Sequence, residues 1–181
     1  MDEKKIKEAT RLFLEGIGED PSREGLVDTP DRIARMCKEI FAGYECDAKV
    51  HLSKVFHTDL SGMILEKDIP FHSLCEHHLL PFFGKVTIGY LPDQKVVGLS
   101  KLARTVEVYA RRAQIQEQMT DQIATAIYEE LEPKGVIVMV EAEHMCMAMR
   151  GIKKIGALTT TMAQKGDLSE KDLANFFEMR K

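Results

Sequence analysis

Between residues 84 and 166 the apolar pattern changes period twice, and that order limits the folds open to the chain. "GKVTIGYLP" alternates and is β-rich, which predicts a strand ending at Pro92. "LSKLARTVEVYARRA" and "QEQMTDQIATAIYEELEP" follow with helical spacing, the second stopped by Pro133 and Gly135. "GVIVMVEAEHMCMAM" returns to strand, and "ALTTTMAQ" adds another. The order strand, strand, helix, helix, strand, strand gives an α+β domain with a mostly antiparallel sheet. Ahead of it, "EKKIKEATRLFLEGIG" is a helix that stops at Gly16 and Gly18. "DTPDRIARMCKEIFAGY" is a second, with Thr29 as N-cap and Pro30 at the first helical position. "SEKDLANFFEMRK" closes the chain as a helix capped by Ser169. Residues 1–60 thus form a helical extension and connector, and residues 61–181 one domain with a C-terminal helix.

The 181 residues are 44% hydrophobic, enough for a real core. No apolar run reaches the roughly 18 residues of a membrane span. The charged start "MDEKKIKEAT" does not resemble a signal peptide, so a cytoplasmic setting is expected. There Cys37, Cys46, Cys75 and Cys146 serve as thiols or metal ligands rather than disulfides. The net charge of −4 argues against nucleic acid as a partner and confines any anion to a local basic cluster.

"SLCEHHLLPF" sets two histidines side by side, just after a cysteine. Cys75 and His78 are three apart, a spacing that a tight turn folds around one ion. "EAEHMCMAMRG" supplies more donors. On a strand, Ala142, His144, Cys146, Ala148 and Arg150 share one face, and Met145, Met147 and Met149 point the other way into core packing. Soft thiolates with imidazole suit zinc. Cys75, His77, His78, His144 and Cys146 exceed the ligands of a tetrahedral site. A closed structural site takes four, and a catalytic one takes three and leaves a place for water. Spare histidines would then carry protons near neutral pH. Spacing alone does not say which are spare.

"VGLSKLAR" puts Ser100 at a helix N-terminus, where an ordinary N-cap would explain it, with Lys101 and Arg104 close by. Cations at the positive end of a helix cost about 0.3–1 kcal/mol each, which an anion docked there would offset. Arg150 could join them. Glu117 opens the next helix; it complements the helix dipole or accepts paired N–H donors such as guanine offers.

Taken together, "DTPDRIARM", "SLCEHHLLPFFGKVTIGYLP", "GLSKLAR", "QIQEQMTDQIA" and "HMCMAMRG" resemble the zinc-dependent GTP cyclohydrolase I family, in that family's order. The resemblance implies the tunnelling fold, a homodecamer with active sites at subunit interfaces, and the conversion of GTP and water into formate and 7,8-dihydroneopterin triphosphate on the way to folate or other pterins. It implies Cys75, His78 and Cys146 as zinc ligands and His77 and His144 as an acid–base pair, with Ser100 among the catalytic residues. Glu117 becomes the guanine anchor, with Gln116 beside it as a substrate contact. Lys101, Arg104 and Arg150 contact triphosphate and ribose together with Ser100, and Arg35 also reaches the phosphates. One rival, a zinc nucleobase deaminase, lacks its H-x-E and P-C-x-x-C signatures here.

Overall fold

A computed structural model describes residues 1–181. The chain divides into two compact units, Met1–Ala42 and Gly43–Lys181. The first holds helices α1 (Glu3–Gly16) and α2 (Thr29–Ile40). The Asp2 side chain caps α1 by accepting from the Lys5 N–H, and ion pairs Lys7–Asp31 and Lys38–Glu3 tie the two helices. The N-cap of α2 is Asp28 rather than Thr29. A turn in which the Thr29 N–H donates to the Leu26 carbonyl feeds the chain into the helix one residue early.

The second unit is built on a five-stranded sheet in the order β5-β2-β3-β6-β7. In chain order it contains helix α3 (Lys49–Leu52) and strands β1 (Val55–His57), β2 (Ile64–Cys75), β3 (Pro81–Leu91) and β4 (Lys95–Val97). Helix α4 (Leu99–Ala110), strand β5 (Ala113–Gln114), helix α5 (Gln116–Leu131) and strand β6 (Gly135–His144) follow. Turn α6 (Met145–Ala148), strand β7 (Leu158–Gly166) and helix α7 (Glu170–Arg180) complete it. Strands β2, β3, β6 and β7 pair antiparallel; only the short β5 lies parallel, on β2, and β1 pairs with β4 apart from the main sheet. This is the expected ββααββ order of an α+β tunnelling fold, with α7 capped through a reciprocal Ser169–Asp172 box. The strands β1, β4 and β5 carry too few residues to show a period and went unread in the sequence.

Strand β6 is buried on both faces. Val136, Val138, Val140 and Ala142 face a core shared with Leu102 and Val106 of α4 and Met119, Ile123 and Ile127 of α5. Ile137 and Met139 point the other way and pack with Phe176 of α7. The sheet is thus a middle layer, which explains why β6 reads as a continuous apolar run rather than an alternating one. Gly89 makes room on β3, since a Cβ there would lie 2.7 Å from the Phe176 ring.

The strand expected to run through Met149 stops at His144. The ladder runs out at that point: His144 pairs with Phe82, one residue after β3 begins, and β7 reaches only as far as Glu143. The unpaired backbone closes on itself instead, with the Met149 N–H donating to the Met145 carbonyl at 3.0 Å. The two-sided reading of 145–150 is corrected accordingly. Met145 and Met147 are half-buried and Met149 is 58% exposed, so this methionine run is not core.

Phe176 anchors the outer layer. Truncating this fully buried ring, Phe176→Ala, is expected to lower unfolding free energy by about 3–5 kcal/mol. Its half-exposed neighbour, changed as Phe177→Ala, is expected to cost under about 1 kcal/mol. Denaturant midpoints of the two variants check the contrast, and equal losses would mean that α7 is not held through Phe176.

Candidate metal centre and active site

The sheet register assembles the site. Leu74 of β2 pairs with Pro81 of β3, Phe82 of β3 with His144 of β6, and Leu74 also with Ala113 of β5. The end of β2, the start of β3, the end of β6 and the link between α4 and α5 therefore meet at one end of the sheet. Cys75 is the last residue of β2, and the loop to Leu80 folds back on it. The Cys75 N–H donates to the Leu80 carbonyl at 2.9 Å, and the Cys75 carbonyl accepts from Leu79 at 2.8 Å. Leu79 closes this turn at a φ of 51°, in the left-handed region.

The turn places both histidine rings near the thiol and sets their planes 75° apart. Cys75 Sγ is 3.8 Å from His77 Nδ1 and 3.9 Å from His78 Nδ1, so distance to Cys75 does not distinguish them. Cys146 does. Delivered by the α6 turn, it forms with Cys75 and His78 a group whose donor atoms lie within 4.8 Å of one another. Zinc–sulfur and zinc–nitrogen bonds at tetrahedral angles put neighbouring donors about 3.5–3.8 Å apart, so a small contraction closes these three on one ion. The electrostatics agree. Burial and the adjoining Cys75 thiol push the Cys146 thiol above its ordinary pKa, the situation that a divalent cation relieves by drawing thiol protons off. Arg150 Nη1 lies against His78 Nε2, which brings a cation to the rim of the same group. His77 stays outside, its side chain 63% exposed and 4.0 Å from the Glu76 carboxylate.

His144 stands beside this group and is held on two sides. Phe82 stacks flat against the imidazole, with centroids 4.7 Å apart and planes within 1°. Gln116 Oε1 lies 2.7 Å from His144 Nε2. Burial pushes the His144 pKa below its usual value, and the Glu117 carboxylate acts against that shift, which places Glu117 within electrostatic reach of the ring. Glu117 itself is exposed in the first turn of α5. Gln116, one residue earlier, is buried, and its amide is spent on the protein. Phe82 is part of the site that sequence reasoning missed, although it lies inside the quoted "LLPFF".

The basic residues fall into separate places. Strand β3 carries the chain from the metal end of the sheet to the far end, where Leu91 pairs with Gly135. Helix α4 starts after that point and returns toward β5, so its first turn lies toward the far end, on the order of 14 Å along the axis from its last residue. Ser100 and Lys101 occupy that first turn and Arg104 the next. Gly98, not Ser100, is the N-cap, with its carbonyl accepting from the Lys101 N–H at 2.7 Å. His51 of α3 and Lys54 complete this cluster, since Arg104, Lys101 and Lys54, after burial, push the His51 pKa down. His51 and Lys54 carried no motif in the sequence. Within one chain, Cys75, His78, Cys146, His144, Gln116, Glu117 and Arg150 gather at one place, and Ser100, Lys101 and Arg104 at another. Arg35 is exposed on α2, in the first unit.

Comparison with known proteins finds close relatives of the chain. A GTP cyclohydrolase 1 from Clostridium kluyveri is 58% identical over 171 residues, which cover 94% of this chain and 92% of the relative. One from Clostridium perfringens is 57% identical over 170 residues, with the same two coverages of 94% and 92%. One from Finegoldia magna is 56% identical over 176 residues, covering 97% and 96%. The sequence model of GTP cyclohydrolase I matches residues 6–180, a span that contains every site residue named above, and the chain therefore belongs to the GTP cyclohydrolase I family.

Proposed function

We propose that the two clusters are halves of one active site, shared between neighbouring subunits, in which the chain carries out the reaction of its family. GTP and one water give formate and 7,8-dihydroneopterin triphosphate, with hydrolytic opening of the guanine imidazole ring. The observation that carries this reading is the group Cys75, His78 and Cys146 beside a histidine held in place and an acidic residue at a helix start. Three protein donors suit a catalytic zinc, which when bound supplies Lewis acidity and makes water nucleophilic near neutral pH.

The chain's own residues do the rest. The Glu117 carboxylate accepts from the adjacent N–H donors on the pyrimidine edge of guanine and so orients the purine. His77, exposed at the rim, delivers protons to the purine nitrogens, and His144 exchanges protons from the opposite, buried side. Arg150 neutralises charge near the ligand group. Ser100, Lys101 and Arg104 of an adjoining subunit bind the triphosphate, supported by Arg35. Their remote binding energy helps to hold the base over the reacting centre. The separation of the two clusters within one chain supports this division of labour. The exposed apolar side chains of Leu158 (69%) and Met162 (52%) along β7, an outer strand of the sheet, support subunit contact there, in a homodecamer working in the cytoplasm.

The two neighbouring histidines are expected to fail differently when replaced. His78→Ala loses zinc on elemental analysis. His77→Ala keeps zinc and binds GTP while formate release falls by roughly 10²–10⁴. Metal loss from His77→Ala with retention in His78→Ala would reverse the assignment.

Glu117→Gln sets an amide N–H against a donor of guanine. It is expected to weaken GTP binding by about 1.5–3 kcal/mol, read as a shift in the equilibrium titration. Unchanged affinity would leave Glu117 as a helix-dipole residue.

Sharing of the site is tested by mixing two inactive variants, Lys101→Ala and Glu117→Ala, under conditions of subunit exchange. Part of the activity is expected to return, because some interfaces then join two intact halves. No recovery despite demonstrated exchange would place both halves in one chain.

A further inference from the structure

Gln116 is the most constrained polar side chain at the site, at 1% exposure. Its amide nitrogen lies 3.1 Å from the Val140 carbonyl oxygen, 3.0 Å from that of Thr159 and 3.1 Å from Thr161 Oγ1. It enters from the first turn of α5 and bridges β6 and β7. Carbonyl oxygens only accept, so the end of the amide that meets Val140 and Thr159 must be the NH2 group. The other end, Oε1, is then what faces His144 Nε2 at 2.7 Å. A carbonyl oxygen cannot donate, and the imidazole must therefore carry its proton on Nε2. The orientation is reinforced from behind. Thr120 Oγ1 donates to the Gln116 backbone carbonyl at 2.7 Å and lies 2.6 Å from Thr161 Oγ1. That leaves the Thr161 hydroxyl to donate to Thr120, while its oxygen, 3.1 Å from the Gln116 amide nitrogen, shares the two amide hydrogens with the Val140 and Thr159 carbonyls.

We infer that Gln116 is a positioning residue that fixes His144 as the Nε2–H tautomer, so that His144 meets substrate only through Nδ1. The inference rests on the reading of His144 as a proton carrier and adds to it the atom that does the work. It also gives the Gln116 side chain a different task from contact with substrate. Val140 and Thr159 fix the amide, the amide fixes the imidazole proton, and Phe82 stacked on the ring fixes its plane. The device depends on the antiparallel pairing of Val140 with Thr161 and of Ala142 with Thr159, which sets the acceptors at the spacing of one amide group.

The test uses the full-length, metal-loaded protein labelled with 15N-histidine, at pH 8, with the His144 ring signals assigned by their loss in His144→Gln. In the parent protein the one-bond N–H coupling is expected at Nε2, with Nδ1 bare. Gln116→Met is expected to populate both tautomers and to lower kcat by about 10–10³-fold. KM for GTP and the equilibrium affinity for GTP should change by less than about threefold, because the orienting contact is lost and no substrate contact is. A proton on Nδ1 in the parent protein would overturn the inference without recourse to any variant, so a misfolded Gln116→Met does not protect it. A raised KM with kcat and tautomer unchanged would overturn it as well and return Gln116 to the substrate. A parent protein that releases no formate from GTP, with His144 still protonated on Nε2, would sink the activity reading and leave the assignment of the proton standing.

Discussion

The antiparallel register of β2, β3 and β6 is the constraint on which the site depends. Pairing Leu74 with Pro81 and Phe82 with His144 brings residues 75, 78, 144 and 146 together although about 70 positions separate the two segments. A shift of one residue in the β3–β6 pairing would turn Phe82 and His144 to opposite faces, and a shift in either pairing would displace Cys75 from Cys146. The same register ends the β6 ladder at His144 and forces the chain into the α6 turn that presents Cys146. The loss of strand partners thus creates the metal group rather than merely bordering it.

Two kinds of polar chemistry then sit within a few residues of each other and are managed in opposite ways. The thiols of Cys75 and Cys146 are crowded, and burial and the neighbouring Cys75 raise the cost of ionising Cys146. Around Gln116 the amide has acceptors for its NH2 group and a donor for its oxygen, and the surrounding hydroxyls satisfy one another. Such a closed network orders its members, because any reorientation leaves a buried group unpaired. One side of the site has the donors that suit a cation; the other is a rigid scaffold for a single imidazole.

A basic cluster that lies apart from the Cys75, His78 and Cys146 group is what motivates the proposal of a shared site. Lys101 and Arg104 flank His51 and Lys54 at the start of α4, where a helix N-terminus adds its own positive potential. Concentrating cations there costs stability in the isolated chain unless an anion or another subunit answers them. Under the proposed sharing of the site, nucleotide binding and subunit association would be coupled, because the polyanion would touch both halves.

Much of this was legible in the residues. Periodicity gave the two helices of each pair and strands β3, β6 and β7, and Ser169 gave the last cap. Cys75, His77, His78, His144 and Cys146 stood out by type and spacing as metal donors, the choice of Cys75, His78 and Cys146 among them resting on the family resemblance. These signals are local: they depend on side chains within a few positions of one another, and short-range sterics and burial write them into the chain. What the tertiary structure alone decided is everything that depends on where a neighbour stops. The β6 strand gives way to a turn at His144 because β3 and β7 offer no further partners, which no property of "HMCMAMRG" reveals. Gln116, which the resemblance made a substrate contact beside Glu117, turns inward because Val140 and Thr159, from strands far along the chain, supply the acceptors that its amide needs. The proton on His144 is likewise set by groups that meet only when the sheet has closed. A hydrogen bond between distant residues leaves no period and no spacing in the sequence, and only the fold can specify it.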